Sequence, residues 1–216
     1  MVADTRKRKV WLVRHGNRLD FIRPEWFLSA LFKYDPPLCP AGKIQAQETA
    51  KYLSSKAIAH IFVSPYCRTI QTALPMAIAH NLPLNLEAGL GEWENPDWMG
   101  EKPQLTNERI VEVENVINRD YRSLVQPQYP ETQEEMWARA KKTTQFLVEN
   151  YAGNLLIVGH KESLFGAAIA FLGKEPDFDF DVCGITEFCW TGDRWKCTLA
   201  NDQSHLSDPG VKVAEY

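Results

Sequence analysis

Long apolar runs are missing from this chain. No stretch of its 216 residues approaches the roughly 20 that a bilayer-spanning helix needs. Near the charged start only Val10 to Val13 are apolar, too short for a secretory h-region, so no signal peptide is expected. An excess of positive charge is missing too: 24 Lys and Arg stand against 28 Asp and Glu, a net −4. A general nucleic-acid coat or an anionic-membrane binder is normally basic, so neither nucleic acid nor membrane is expected as a partner. The basic run Arg6 to Lys9 reads as a solvated arm before the first strand. No C-x-x-C pair occurs among Cys39, Cys67, Cys183, Cys189 and Cys197. An odd count without a secretory signal points to free thiols in a reducing, cytoplasmic setting, and these spacings fit no zinc-ligand pattern. Repeats, low-complexity tracts and long linkers are also absent, and the length suits one domain, 1–216.

What is present is alternation. Short apolar strands and longer amphipathic segments follow one another, which predicts an α/β fold, a three-layer sandwich with a mostly parallel central sheet. Lys9 to Val13 reads as the first strand. A helix opens at Pro40 and runs to about Ser55, with Ile44, Thr49, Tyr52 and Leu53 on its buried side. Ile58 to Val63 is the second strand. Cys67 to His80 is a helix in which Pro75 marks a kink or break. Leu82 to Leu86 is a short third strand. From 92 to 130 the pattern loosens into an insertion over the sheet edge, with a polar helix predicted from Glu108 to Leu124. Thr132 and Glu135 form a capping box for a helix that Gly153 stops. Leu155 to Val158 is apolar throughout and therefore central. Ser163 to Leu172 is a helix ended by Gly173, and a final hairpin turns at Gly192-Asp193.

Open α/β sheets place their ligands beyond the carboxyl ends of the strands. The segments at those ends are Arg14-His15-Gly16-Asn17-Arg18, Ser64-Pro65-Tyr66-Cys67-Arg68, Gly89-Leu90-Gly91-Glu92-Trp93 and Gly159-His160-Lys161. Two imidazoles, three guanidinium groups and a carboxylate thus converge on one edge if the strands are parallel. Guanidinium forks grip phosphate oxygens in pairs, and an imidazole can attack phosphorus to form a phosphohistidine. Gly16 lets the backbone approach an anion. Nearby arginines keep His15 neutral and nucleophilic, whereas a bound phosphate dianion raises Glu92, making it an acid mainly once substrate is present.

The ordered set Arg14-His15-Gly16, Ser64-Pro65 with Arg68 and Gln71-Thr72-Ala73, Gly42-x-x-Gln45-Ala46 and Val158-Gly159-His160 resembles the histidine phosphatase superfamily, the phosphoglycerate-mutase-like clan. Arg14-His15-Gly16-x-Arg18, Asp35-Pro36-Pro37-Leu38 and Gly89-Leu90-x-Glu92-Trp93 look closest to the branch of Sts-type and ecdysteroid-phosphate phosphatases. The resemblance implies a phosphoglycerate-mutase-like fold with a lid insertion over about 92–130. It implies hydrolysis of a phosphomonoester, borne by a small molecule or a phosphoprotein, with His15 as nucleophile and Glu92 as general acid. Arg14, Arg18, Arg68 and His160 would bind the phosphoryl group and stabilise its transfer. Gly16 and Asn17 complete the binding loop, and no metal or other cofactor is expected.

Some positions depart from that pattern. Asn17 stands where Glu or Gln is frequent, and its amide can donate to phosphate. Cys39 stands where a capping Thr is usual. Glu162 after His160 would repel phosphate unless it points away or pairs with Lys161. Trp26, Phe27, Phe32, Trp93 and Trp98 read first as lid packing; the alternative is an apolar rim favouring aromatic or bulky esters. His60, His80 and His205 read as structural or exposed, and Cys67 as packing. Two other functions stay open: a phosphoglycerate-mutase-type phosphoryl transferase, disfavoured by the acidic stretch after Glu92, and a phosphate-binding scaffold without turnover. A homodimer is compatible with the sequence but not required by it.

Overall fold

The computed structural model describes residues 8–105 and 115–210. Six strands form one sheet in the order β3-β2-β4-β1-β5-β6. They are β1 (Lys9–Arg14), β2 (Ile58–Val63), β3 (Leu84–Leu86), β4 (Asn154–Gly159), β5 (Ile185–Trp190) and β6 (Trp195–Asp202). The pairs β1–β4, β4–β2 and β2–β3 are parallel, and β5 runs antiparallel to both β1 and β6. The expected mostly parallel sheet is present, with β4 in its interior.

Side-chain alternation along each strand divides the core into two layers. Trp11 and Val13 of β1 face one way, with Ile61 and Val63 of β2 and Leu156 and Val158 of β4. They pack on Ala50 and Leu53 of α3 (Pro40–Leu53) and on Ile70, Ala73 and Met76 of α4 (Cys67–His80). Val10, Leu12, Leu155 and Ile157 face the other way. They meet Leu147 of α5 (Gln133–Asn150) and Leu164, Ala167 and Phe171 of α6 (Lys161–Leu172). Two four-residue helices, α1 (Leu19–Ile22) and α2 (Trp26–Ser29), lie between β1 and α3.

Several local expectations need correction. α3 turns Gly42, Gln45, Ala46, Thr49, Ala50 and Leu53 inward, and Ile44 is 53% exposed. Small residues let α3 approach its neighbours closely, so the large apolar side chain is not the one that packs. α4 passes Pro75 without a break, because buried Ile70, Ala73, Met76 and Ala77 hold both sides of the proline in the core. β3 begins at Leu84, since the Leu82 amide closes the C-terminus of α4 on the Ala77 carbonyl. Of the polar helix expected from Glu108 to Leu124, the part up to 114 lies outside the described residues, and 115–124 forms turns and one bridge, Leu84 to Ile117. Those turns are tied down by the buried carboxylate of Glu87, which accepts from the Tyr121 and Ser123 hydroxyls and the Leu124 amide. The Thr132–Glu135 capping box is formed as expected.

Candidate active site

The strand register aligns the carboxyl ends of three strands. Val13 is level with Val158, and Val158 with Val63, so the segments after β1, β4 and β2 leave from one edge. His15 follows β1 and is 1% exposed. Its Nδ1 lies 2.8 Å from the Gly16 carbonyl oxygen. A carbonyl only accepts, so Nδ1 carries the proton and Nε2 keeps its lone pair. Burial and the Arg68 and Arg14 guanidinium groups hold this imidazole well below its ordinary pKa, so it is neutral at physiological pH. The loop is set by backbone contacts. The Gly16 amide donates to Thr72 Oγ1 at 3.0 Å, and the Asn17 amide to Gln45 Oε1 at 2.9 Å. A Cβ on Gly16 would lie 2.7 Å from the Gly42 carbonyl oxygen. The glycine is thus required by the approach of α3, a different reason from the anion contact expected of it.

His160 follows β4 and is fully buried. Its ring centroid lies 5.3 Å from that of His15. Nε2 is 2.8 Å from Ser64 Oγ, and Nδ1 is 3.3 Å from Glu92 Oε2. Ligand-type atoms of His15, Glu92 and His160 all lie within 4.8 Å of one another. Three residues spread over 145 positions of sequence therefore meet at one point. Three such donors could hold a cation, but Arg68 stands 3.1 Å from the same carboxylate and favours an anion there.

Arg68, at the start of α4, is 1% exposed. Its Nη2 donates to Glu92 Oε2 at 3.1 Å, and its Nη1 lies 3.8 Å from Asp35 Oδ1. The Arg68 guanidinium sits 4.7 Å above the Tyr66 ring. Glu92 is pushed up by burial but pulled further down by His160, Arg68 and His15, so its carboxyl lies well below the usual range. Arg14 donates to the Phe180 carbonyl at 2.8 Å, and its electrostatic neighbours include Glu92 and Arg18. Arg18 is partly engaged: its Nε and Nη2 both reach the carboxylate of Asp20, and its guanidinium lies 4.3 Å from the Phe21 ring centre. Asn17 is buried beside this group.

A pocket of about 190 Å³ borders this cluster at Arg18, Arg68 and Glu92 and is lined further by Phe27, Tyr34, Met99 and Trp98, whereas His15, His160 and Arg14 do not line it. Phe27 is 42% and Trp98 62% exposed, so these two rings line the mouth and are not interior packing of a lid. Glu162 turns away: its carboxylate accepts from Trp137 Nε1 at 2.9 Å and Gln133 Nε2 at 3.1 Å, while Lys161 pairs with Asp179. The Cys39 thiol caps α3 in place of a hydroxyl, accepting from the Gly42 amide at 3.4 Å.

Sequence reasoning gave no structural role to two residues that hold the site together. Asp35 accepts the Cys67 amide at 2.8 Å and so ties the 19–37 segment to the start of α4. Arg139 of α5 is buried and donates to the carbonyls of Gly89 and Glu92 at 3.0 and 3.1 Å, while holding Glu131. It clamps the loop that carries Glu92. The available signal was its position one residue before Ala140, on the inward stripe of the helix.

Residues 10–203 match the family model of the histidine phosphatase superfamily (branch 1), and the chain belongs to that family. It is 29% identical over 188 residues to the transcription factor tau 55 kDa subunit of Saccharomyces cerevisiae, covering 81% of this chain and 42% of that protein. It is 26% identical to the ecdysteroid-phosphate phosphatase of Drosophila melanogaster, covering 81% of this chain and 28% of that protein. A probable phosphoglycerate mutase of Yersinia enterocolitica is 28% identical, with 94% of this chain and 97% of that one covered. The chain thus spans less than half the length of the first two relatives. Among solved structures, the Bombyx mori ecdysone phosphate phosphatase with tungstate superposes with a TM-score of 0.70 at 17% identity, covering 97% of this chain and 96% of that one. That likeness places the fold among phosphoglycerate-mutase-like sandwiches.

Proposed function

We propose that this chain is a phosphatase that hydrolyses a phosphomonoester through a phosphohistidine on His15. The observation that carries the reading is the His15 Nδ1 contact to its neighbour's carbonyl, which leaves Nε2 as an unprotonated nucleophile inside a cage of arginines. In the first step Nε2 attacks phosphorus, the bond from phosphorus to the ester oxygen breaks, and Glu92 gives that oxygen a proton. In the second step water attacks phosphorus, the P–N bond breaks with its electron pair returning to Nε2, and the Glu92 carboxylate takes the water's proton. Arg14, Arg18, Arg68 and His160 bind the phosphoryl oxygens and stabilise the charge that gathers on them. The surrounding cations keep Glu92 ionised, and a dianion arriving beside it makes it a proton donor. Phe27 and Trp98 at the mouth favour an aromatic or otherwise apolar leaving group.

The test is release of phosphate from p-nitrophenyl phosphate, with and without chelator, joined to rapid quenching for an acid-labile phosphoenzyme. Turnover that survives chelation and a phosphoenzyme lost in His15→Ala support the proposal. Turnover that needs a bisphosphate primer and yields an isomerised phosphoester instead supports a mutase. A third outcome is motivated by the transcription-factor relative, whose name describes an assembly component. No turnover, with vanadate still bound, supports a phosphate-recognising scaffold.

A further inference from the structure

We propose that Ser64 is a positioning residue that decides which ring nitrogen of His160 carries the proton. Its consequence for catalysis rests on the phosphatase reading above; the proton assignment itself does not. The geometry is directional. The Tyr66 backbone amide donates to Ser64 Oγ at 3.5 Å, and the same oxygen lies 2.8 Å from His160 Nε2, with both side chains fully buried. The amide takes one of the two lone pairs of Ser64 Oγ, and among the described hydrogen bonds Nε2 is the acceptor within reach of the hydroxyl hydrogen. The Ser64 carbonyl is separately occupied by Thr69 Oγ1 at 2.8 Å.

The opposite assignment, with the proton on Nε2, has two faults. It leaves the hydroxyl hydrogen of Ser64 without an acceptor among the described hydrogen bonds. It also turns the Nδ1 lone pair toward the Glu92 carboxylate oxygen 3.3 Å away, where two electron-rich atoms repel. With Ser64 as donor, Nδ1–H faces that carboxylate without forming an aligned hydrogen bond to it. A phosphoryl oxygen supplies its missing partner. The choice matters because His160 is neutral. Burial, with Arg68 and Arg18, lowers it to about 4 despite Glu92, so it has a single proton to place. The groups facing the ring are Glu92, Arg68, Arg18, His15 and Tyr66.

The experiment is nitrogen-15 spectroscopy of histidine-labelled protein at pH 7.5, with His160→Gln used for assignment, alongside kinetics of Ser64→Ala and Ser64→Thr. Wild type is expected to show His160 as one neutral form protonated at Nδ1. Ser64→Ala is expected to populate the Nε2–H form and to lower kcat about tenfold with little change in KM, the effect of losing one oriented hydrogen bond. Ser64→Thr, which keeps the hydroxyl, is expected to restore both. A wild-type His160 protonated at Nε2, or an alanine variant with an unchanged His160 spectrum, overturns the proposal. Because the wild-type spectrum needs no turnover, it decides the assignment even if the protein proves inactive, an outcome that would count against the phosphatase reading alone.

Discussion

Glu92 and Arg68 are paired at 3.1 Å in the wall of the pocket, so a carboxylate already engages the guanidinium. The carboxylate occupies guanidinium hydrogen-bonding capacity that a phosphoryl group would use. On the proposed phosphatase reading, substrate entry would displace or protonate Glu92, and either event would free Arg68. Under the proposed mechanism, binding and the arming of the acid would be one electrostatic exchange, since the field that keeps the carboxyl ionised is the field a phosphate would neutralise.

Arg68→Lys tests the need for a fork and not merely a charge. One ammonium cannot serve Glu92, Asp35 and the Tyr34 carbonyl together as the guanidinium does. kcat/KM for p-nitrophenyl phosphate is expected to fall about 100-fold or more. A lysine variant within about threefold of wild type would mean that charge alone suffices.

The pH dependence of stability is set by the buried imidazoles. His15 lies well below its ordinary value of 6.5, and His160 is lowered to about 4. The unfolded chain therefore binds more protons than the fold just below 6.5. The stabilising contribution is whole above that pH and is lost as the pH falls toward about 4. Glu92 acts in the same direction, because its depressed carboxyl loses its contribution as acid protonates it. Tm is expected to drop by about several degrees between pH 7.5 and 5, with a smaller drop in His160→Gln. A flat or rising profile in wild type would contradict these shifts.

Legibility in the sequence tracks how local the determining physics is. β1, β2 and β4 are short apolar runs, and the segment after each could be assigned to the site edge because strand direction alone carries it there. That is why Arg14, His15, Arg68 and His160 could be named together. Glu92 could be separated from Glu87 and Glu94 only by contacts: Glu87 holds the Tyr121 and Ser123 hydroxyls, and Glu94 is buried against the Glu131 loop. The contacts of Asp20, Tyr34 and Asp35 were hidden, although Asp35 stood in a quoted motif, because α1 and α2 are too short to show a helical period and the segment after them shows none. Their placement comes from tertiary contacts such as the Leu19 amide on the Pro37 carbonyl. Arg139 was hidden because a buried arginine on a helix is indistinguishable from a solvated one until its carbonyl partners are known.

Gly42→Ala probes the contact between α3 and the loop of His15. A Cβ there would lie 2.1 Å from the Asn17 carbonyl oxygen and 2.8 Å from its amide nitrogen, both of them backbone atoms. Neither can move without displacing the loop after β1. The substitution is expected to destabilise the fold by about 2 kcal/mol or more and to lower kcat at temperatures where the variant remains folded. Denaturant unfolding and activity measured on the same sample check both effects. An alanine variant with unchanged stability would show that the loop tolerates separation from α3.

Trp98→Ala asks whether the ring at the mouth selects substrates. Trp98 lies 5.0 Å from Trp93, ring centre to ring centre, but is 62% exposed, so its removal opens little of the core. Its outer face is available to a leaving group beside Phe27 and Met99 in the same pocket. If an aryl group stacks there, KM for phenyl phosphates is expected to rise about fivefold to tenfold, the worth of one aromatic contact. KM for sugar phosphates, which bring no ring, stays within about twofold. Equal effects on both classes would assign Trp98 to lid packing, and the preference for apolar esters would then have to come from elsewhere in the pocket or not exist.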